Sequence, residues 1–384
     1  MKLSVLKEDV IEGVQKAAGI IPAKTGAAFL RTVWLRAENG TLKIMSTDSN
    51  LEFCGNYPAK VEEPGLAGIQ GKRFYDLLRR LPPGEISLLL DADNDVLLLK
   101  QGRRNYKLPT NDVTWFQDFA RFPADNAVLW SGDFLKEIID RIAFCISDED
   151  NMEAMKCMKA TPSRESDVIE VCGLNGHQFA LFRFINEDIF NLLPREGILV
   201  HKKYLLELKK WITTDEIEFN LDNKRLFFSS GEQKEIFSLP LSYYEYPNYE
   251  NFLSGLDDNA STLELDKYEL MDSLERISIF NTDNQICTYF VMNGNELTLF
   301  AQGQDIGEAS ELVNATYDGN LQKIAFPTKK LIEILSHYDS GIIQLKFMGE
   351  LSPCIITGND DREYKTIIMP MEISEETYYT EENL

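Results

Sequence analysis

Three acidic residues have the only spacing in the chain that suggests a metal-binding loop. Asp91, Asp93 and Asp95 imitate the opening of a calcium-binding loop. That loop next needs a glycine and ends in a glutamate, and Val96 and Gly102 stand at those two positions. The sequence therefore predicts a polar turn here and no calcium site.

The other candidates for chemistry also fail. Gly71-Lys72 resembles the end of a phosphate-binding loop, but Leu66 replaces the first glycine of that motif and Arg73 replaces its Ser or Thr. No Gly-x-Ser-x-Gly nucleophile elbow is present. Only three histidines are available for acid–base work: His177, His201 and His337. We therefore predict a protein that is not an enzyme, with a hydrolase or transferase using His177 as an alternative.

The composition predicts a folded, multi-domain protein without a secretion or membrane signal. Its 384 residues exceed the roughly 250–300 that a single core supports. The six cysteines contain no Cys-x-x-Cys pair, so we expect free thiols in a reducing cytosol and no zinc. No apolar run approaches the ~20 residues of a membrane span. We expect a soluble cytoplasmic protein that needs no cofactor.

Three prolines indicate that the chain repeats one structural pattern three times. Pro109, Pro240 and Pro370 each close a strand-like segment, at intervals of 131 and 130 residues. Solenoid repeats are only about 20–50 residues long, so this period indicates whole domains in tandem. We predict three domains and a disordered acidic tail, at 1–124, 125–253, 254–373 and 374–384.

Hydrophobic periodicity predicts an α+β fold with two helices in each repeat. First helices are predicted at 7–18, 132–144 and 266–280, and second helices at 71–81, 201–212 and 328–337. Between them, alternating residues such as Ile343, Leu345 and Phe347 predict half-buried strands that form antiparallel sheets.

Positive charge is concentrated on the second helices although the net charge of the chain is −23. The segments 71–81 and 201–212 each sum to +3, with the cations away from the apolar stripe. Charges beyond a Debye length of about 8 Å are screened, so such helices can attract phosphates in an acidic protein. We predict contacts to a nucleic-acid backbone, dependent on salt and independent of sequence. The alternative is an ordinary solvated helix face.

Residues 1–373 resemble the family of bacterial DNA polymerase III beta subunits, the replicative sliding clamps. Asn175–Leu181 is similar to the family's Asp-Gly-His-Arg-Leu-Ala segment, Tyr246–Tyr249 to Phe-Pro-Asp-Tyr, and Ile367–Met371 to Val-Val-Met-Pro-Met. The resemblance implies three tandem clamp domains in a head-to-tail homodimer that encircles duplex DNA. It also implies partners that bind through short peptides: the replicative polymerase, the clamp loader and repair proteins.

The resemblance implies residues for three kinds of site. The family's DNA-contacting arginine, in the loop after the first helix, corresponds to Lys24 in this sequence. Together with the charge analysis, this gives as DNA-binding residues Lys24, Lys72, Arg73, Arg79, Arg80, Lys136, Arg141, Lys202, Lys203, Lys209 and Lys210. The implied partner-peptide pocket consists of Met155, Leu174, Gly176, His177, Phe179, Pro247, Phe252, Leu351, Pro353, Ile367, Ile368, Met369, Pro370 and Met371. The implied dimer contact joins two edge strands, one with Tyr106 and Leu108 and the other with Ile279 and Phe280.

Some pocket positions depart from the family pattern. Leu174, Gln178, Asn251 and Glu372 make the rim of the pocket less basic, so we expect partner peptides with fewer acidic residues. The first helices carry net charges of −1, −1 and −2, which does not favour DNA binding and leaves an alternative function open. In that alternative the protein is a three-domain scaffold that binds peptides but does not encircle DNA.

Overall fold

The described part of the chain forms two compact units. The computed structural model describes residues 1–22, 28–149, 151–164, 167–231, 234–250, 253, 260–282, 286–294, 296–303 and 306–372. One unit comprises residues 1–137 with 203–242, and the other comprises 138–202 with the described residues from 243 onward. The division runs through the second predicted domain, so the domain boundaries stay a prediction. Lys24 and the tail at 374–384 lie outside the described residues.

The first unit contains one antiparallel sheet of 13 strands. In sheet order these are β10 (Val128–Ser131), β15 (Glu216–Leu221), β16 (Arg225–Ser230), β17 (Glu235–Pro240), β4 (Glu52–Pro58), β3 (Thr41–Thr47), β2 (Thr32–Glu38), β6 (Gly65–Gln70), β9 (Arg104–Asn111), β8 (Val96–Gln101), β7 (Glu85–Asp91), β1 (Lys2–Leu6) and β5 (Lys60–Glu63).

The second unit contains an antiparallel sheet of 12 strands. In sheet order these are β14 (Ile198–His201), β11 (Cys157–Pro162), β12 (Val168–Leu174), β13 (Gln178–Ile185), β25 (Tyr364–Ile368), β24 (Cys354–Gly358), β23 (Ile342–Phe347), β18 (Ser261–Asp266), β21 (Gly307–Asp318), β20 (Glu296–Gly303), β19 (Cys287–Asn293) and β22 (Lys323–Pro327).

The helices confirm the predicted positions, with small shifts at their ends. They are α1 (Lys7–Ile20), α2 (Gly71–Arg80), α3 (Gly132–Ala143), the short α4 (Glu187–Leu192), α5 (Lys202–Trp211), α6 (Lys267–Ile277) and α7 (Thr328–Ser336). Residues Ser278–Phe280, predicted as the end of a helix, form a 3-10 turn instead. None of the helices in the described ranges is long and apolar enough to cross a membrane. All six cysteines are free, and all except the half-buried Cys54 are buried.

The element order confirms the threefold repeat. Each repeat starts with a strand and a first helix, which are β1–α1, β10–α3 and β18–α6. Each ends with a second helix (α2, α5 or α7) that is followed by three strands. The first helices bury the same positions, namely their fourth, seventh, eighth and eleventh residues. These are Val10, Gly13, Val14 and Ala17; Leu135, Ile138, Ile139 and Ile142; and Leu270, Ser273, Leu274 and Ile277.

Strand pairing joins consecutive repeats. The closing strand of the second repeat, β17, pairs with β4 of the first, and Phe237 lies opposite Phe53. The closing strand of the third repeat, β25, pairs in the same way with β13 of the second, and Ile367 lies opposite Phe179. Each sheet therefore continues from one repeat into the next, which removes two strand edges from solvent.

Arg141, predicted from its charge to face DNA, is buried instead, and that prediction is wrong. It is 7% exposed, and its guanidinium donates to Asp361 at 2.7 Å and to Asp339 at 2.6 Å. The tenth position of helix α3 lies against the turn between β24 and β25, which supplies Asp361. Burial alone would raise the pKa of Asp361, but hydrogen bonds from Ser340 and Arg141 hold it below its ordinary value.

We expect Arg141→Met to lower the free energy of unfolding by about 3–5 kcal/mol, because it leaves the Asp361 carboxylate buried without its cation. Urea denaturation at neutral pH measures this loss. Since the pKa of Asp361 is lowered by folding, the stabilisation is complete above its ordinary value of 3.8 and is lost as the pH falls further. The matched control is Lys210→Met, an exposed partner of Glu207, which should change stability by about 0.5 kcal/mol or less. Equal losses in the two variants would contradict the prediction.

Candidate functional site

Helices α2 and α5 present exposed cations opposite their buried faces. Helix α2 buries Phe74 and Leu78, and α5 buries Leu205, Leu208 and Trp211. The predicted cations that stand exposed are Arg73, Arg79, Arg80, Lys203 and Lys210, while Lys72 and Lys209 are half-buried. Amphipathic spacing thus separates charge from the core on both helices, as the sequence predicts.

Some of these cations form ion pairs on their own helix surface. Arg79 lies 3.2 Å from Asp76, and Lys210 lies 2.7 Å from Glu207. On α3, Lys136 pairs in the same way with an aspartate one turn away. Exposed pairs of this kind contribute only about 0–1 kcal/mol. A phosphate can therefore compete for these cations at little cost.

Two further predicted DNA residues have other positions. The Lys202 ammonium donates to the carbonyl of Ile146 and pairs with Asp148 at 2.9 Å, and its side chain is only 13% exposed. Its prediction as a phosphate contact is therefore wrong in this conformation. Arg73 is exposed but lines a cleft with Arg31 and Lys107, beside the closing strand β9.

The glycine–histidine segment forms a tight turn between β12 and β13. Gly176 has φ +83°, a left-handed conformation that favours glycine. The Asn175 side-chain oxygen accepts hydrogen bonds from the backbone amides of His177 at 3.0 Å and Gln178 at 2.8 Å. The carbonyl of His177 accepts from the amide of Met369 at 2.9 Å. This turn therefore fixes the residues after β25 beside the exposed His177.

An apolar cluster lies next to this turn. Its buried members are Cys172, Leu174, Phe179, Leu181, Tyr249, Ile355 and Ile367, with Met155, Tyr246 and Leu253 packed against it. Met155 also approaches Gly176, since a Cβ built on that glycine would lie 3.6 Å from the Met155 methyl carbon. Buried aromatics and adaptable methionines suit an apolar peptide.

Charged groups border the cluster. The Tyr249 hydroxyl donates to Glu170 at 3.0 Å, and Glu170 also pairs with Arg183 at 2.6 Å. Lys159 lies over the Tyr249 ring, 5.8 Å from its centroid. Burial raises the pKa of the Cys172 thiol to about 12, so this thiol stays neutral. The cluster is thus apolar at its centre, and Lys159, Glu170 and Arg183 lie at its border.

The structure brings four of the predicted pocket residues into the cluster, namely Met155, Leu174, Phe179 and Ile367. Ile368 is fully buried and lies opposite Cys354 and Gln178 in the sheet, so it is a core residue and its prediction as a lining residue is wrong. Leu351 is exposed, while half-buried positions are held by Pro247, Pro353, Met369, Pro370 and Met371. Phe252 lies outside the described residues. Sequence reasoning missed Tyr246 and Tyr249 as lining residues, although both lie in the Tyr-Pro-Asn-Tyr segment.

Each unit has a strand with an open edge in its described part. In β9, Arg104–Pro109 pairs with β8 on one side, and only Thr110 and Asn111 pair with β6 on the other. The predicted contact residues Tyr106 and Leu108 are half-buried on this strand. In β21, Gly307–Asn314 pairs with β20 on one side, and no described strand pairs with its other side.

Periodicity predicts Ile279 and Phe280 at the end of a helix, and the resemblance implies that they belong to an edge strand; both placements are wrong. Both lie in the 3-10 turn Ser278–Phe280, and Ile279 is 69% exposed. Phe280 nevertheless lies against the strands that carry the open edge. Its carbonyl oxygen would come within 2.6 Å of a Cβ on Gly303, which explains the glycine there. Phe280 therefore lies beside β20 and the start of β21.

No catalytic or metal centre is seen in the part of the chain that the structure describes. No group of three or more His, Cys, Asp and Glu residues there could hold a metal ion. His177 is exposed, and its backbone groups serve the turn. The geometry favours binding through surfaces and strand edges.

Comparisons with known proteins agree with this description. Residues 1–119 match the DNA polymerase III beta subunit, N-terminal domain, and residues 257–372 match its C-terminal domain, which together is more than half of the chain. The chain is 20% identical to the beta sliding clamp of Caulobacter vibrioides and 21% identical to that of Escherichia coli K12, covering 97% of this chain and 100% of each relative. The solved DNA polymerase sliding clamp of Caulobacter crescentus superposes with a TM-score of 0.88 at 20% identity, over 97% of this chain and 100% of that one.

Proposed function

We propose that this chain, which belongs to the DNA polymerase III beta subunit family, is a DNA sliding clamp. It encircles duplex DNA without sequence specificity and tethers the replicative polymerase and other partners for processive synthesis. It is a non-catalytic protein that works in the cytoplasm. The observation that carries this proposal is the continuation of each sheet from repeat to repeat, which leaves open edges on β9 and β21.

In this proposal the open edge of β9 in one copy pairs with β21 of a second copy. The contact is heterologous, because two different edges meet, and it closes into a ring if two copies complete the circle. Pairing continues the sheets across the subunits and removes edges that would otherwise promote aggregation. Tyr106 and Leu108 from one copy then meet Ile279 and Phe280 from the other.

The exposed cations of α2 and α5 then face the DNA. They contact phosphates only, so the affinity is weak at physiological salt, falls as salt rises and does not depend on base sequence. The contacting residues we propose are Lys72, Arg79, Arg80, Lys136, Lys203, Lys209 and Lys210, together with Lys24. Topological linkage then supplies retention, and weak contacts permit sliding.

A second candidate is the scaffold that binds peptides but not DNA. The burial of Arg141 and the pairing of Lys202 favour it, because they remove two cations from the predicted DNA surface. The two candidates differ in whether retention on DNA depends on its ends.

We expect the protein to be retained on nicked circular DNA and to be lost when the circle is cut once, because a ring slides off free ends. The protein is loaded by diluting it into subunits and letting them reassociate around the circular DNA. Gel filtration at physiological salt then measures the fraction of protein that stays with the DNA. Linear DNA with streptavidin on both biotinylated ends is the control and should restore retention. Equal retention on open linear and circular DNA would favour the scaffold instead.

We expect Leu108→Asp with Ile279→Asp to give monomers at low micromolar concentration, because dimerisation would bury unpaired carboxylates. Sedimentation velocity measures the mass. The matched control is Leu129→Asp with Ile185→Asp, two exposed positions on other strands, and it should leave the dimer intact. A dimeric first variant would show that the proposed edges do not form the contact.

The apolar cluster beside His177 is the proposed site for partner peptides. The polymerase, the clamp loader and repair proteins would bind there through short linear segments. Because Gln178 replaces an arginine of the family pattern, and Leu174 is apolar, the peptides should carry fewer acidic residues. The strand pairing of Phe179 with Ile367 supports a site that combines two repeats.

We expect a random library of short peptides, panned on the dimer, to enrich apolar sequences with few Asp or Glu residues. Leu351→Asp should abolish their binding in fluorescence polarisation, since it adds a charge at an exposed residue of the proposed pocket. Leu129→Asp makes the same change at an exposed position in the other unit and should bind normally. Enrichment of acidic peptides, or equal binding to both variants, would contradict the proposed site.

A further inference from the structure

One face of the 12-stranded sheet carries the apolar cluster, and the strand register shows which other side chains share that face. Side chains alternate along a strand, and residues directly opposite each other on neighbouring strands lie on the same face. Leu174, Phe179 and Ile367 are paired in this way on β12, β13 and β25, and all three are members of the cluster. Residues two positions away from them on each strand therefore lie on the same face.

The adjacent row of side chains on that face has a lysine at each end. Lys159 on β11 lies opposite Cys172, and Cys172 lies opposite Leu181. Leu181 in turn lies opposite Lys365 on β25. Cys172 and Leu181 are buried members of the cluster, whereas both lysines are half-buried. Two cations therefore lie at the ends of a row whose centre is apolar.

The first of these lysines has aromatic partners. The Lys159 ammonium lies over the rings of Tyr246 and Tyr249, 5.6 Å and 5.8 Å from their centroids. The face of an aromatic ring carries partial negative charge and attracts a cation placed over it. The charge of Lys159 is therefore balanced in part by two residues that pack within the cluster itself.

The second lysine has no such partner among the residues that the structure describes. Within that part of the chain, the Lys365 side chain takes part in no ion pair, hydrogen bond or ring contact. Glu363, the nearest acid along the chain, is exposed. Glu170, an acid on the same face, is bound to Arg183 at 2.6 Å and to the Tyr249 hydroxyl. A half-buried ammonium loses part of its hydration, so Lys365 is available to an anion from outside the chain.

We propose that Lys365 binds the carboxylate of a single acidic residue in a partner peptide whose apolar residues enter the cluster. Charge complementarity carries this choice of occupant, because the surface combines an apolar centre with one cation that lacks a partner. The inference rests on the proposed peptide site and adds the residue that selects among peptides. One acid per peptide agrees with the expectation of few acidic residues, since Gln178 and Glu372 supply no positive charge.

Strand geometry also predicts where that acid lies in the peptide. Lys365 and Ile367 are two residues apart on β25, so their Cα atoms are about 7 Å apart. An extended peptide covers the same distance with two residues. The acid should therefore lie about two residues from the apolar residue that enters the cluster.

The test compares peptide selection by the parent protein and by Lys365→Met, which removes the charge and keeps an apolar stem. A random nonapeptide library panned on the parent should enrich apolar peptides with one Asp or Glu at a constant distance from an apolar residue. Panning on Lys365→Met should enrich the apolar residues without that acid. In fluorescence polarisation, changing the acid to its amide should weaken binding to the parent about tenfold, as expected for one hydrogen bond between charged groups, and should not weaken binding to Lys365→Met.

Lys159→Met is the matched control, because it makes the same substitution at the other end of the row. It should keep the preference for the acid, and so should Lys365→Arg, which retains the charge. The inference is overturned if the parent enriches no acid at a constant position, if Lys365→Met keeps the preference, or if Lys159→Met loses it. In each of these cases, peptides whose binding is lost in Leu351→Asp leave the proposed peptide site intact. A parent protein that enriches no peptide overturns both.

Discussion

The backbone of each closing strand needs a hydrogen-bonding partner from outside its own repeat, and the rest of the structure depends on this constraint. For β17 the partner is β4, and for β25 it is β13. The closing strand β9 has no such partner over Arg104–Pro109 in the described chain, and β21 has an open side in the other unit. β9 and β21 are therefore two dissimilar strands with open edges, and a head-to-tail assembly joins two dissimilar surfaces.

Where a repeat joins its neighbour, charged side chains have a structural use that their sequence does not reveal. Lys16 and Arg141 each lie on a first helix. The neighbouring repeat covers both cations and supplies a carboxylate to each. Desolvation makes such charges dependent on their partners. The second helices α2 and α5 keep most of their cations exposed. The cations of α1 and α3 therefore hold repeats together, whereas those of α2 and α5 are available to phosphates.

The apolar cluster beside His177 follows from the same pairing. Because β25 lies next to β13, Ile367 comes opposite Phe179 and the residues after β25 meet the turn at Gly176. Alternation along β25 then decides which side chains join the cluster: Ile367 faces it, whereas Ile368 points into the core. The pairing of two repeats thus forms this surface without an additional strand or helix.

The sequence alone determined the α+β fold, the threefold repeat, the helix positions and the concentration of charge on α2 and α5, because these depend on local periodicity and on a long-range repetition visible in the chain. It also identified the family and four members of the cluster beside His177, namely Met155, Leu174, Phe179 and Ile367. Tertiary structure decided which cations remain exposed, since the burial of Arg141 requires Asp361 from another repeat. It also decided that Ile279 and Phe280 lie in a 3-10 turn instead of on a strand. The burial of Arg141 depends on a contact between residues 220 positions apart, and the position of Ile279 and Phe280 depends on packing against other strands. Neither kind of contact leaves a periodic signal in the sequence around the residues involved.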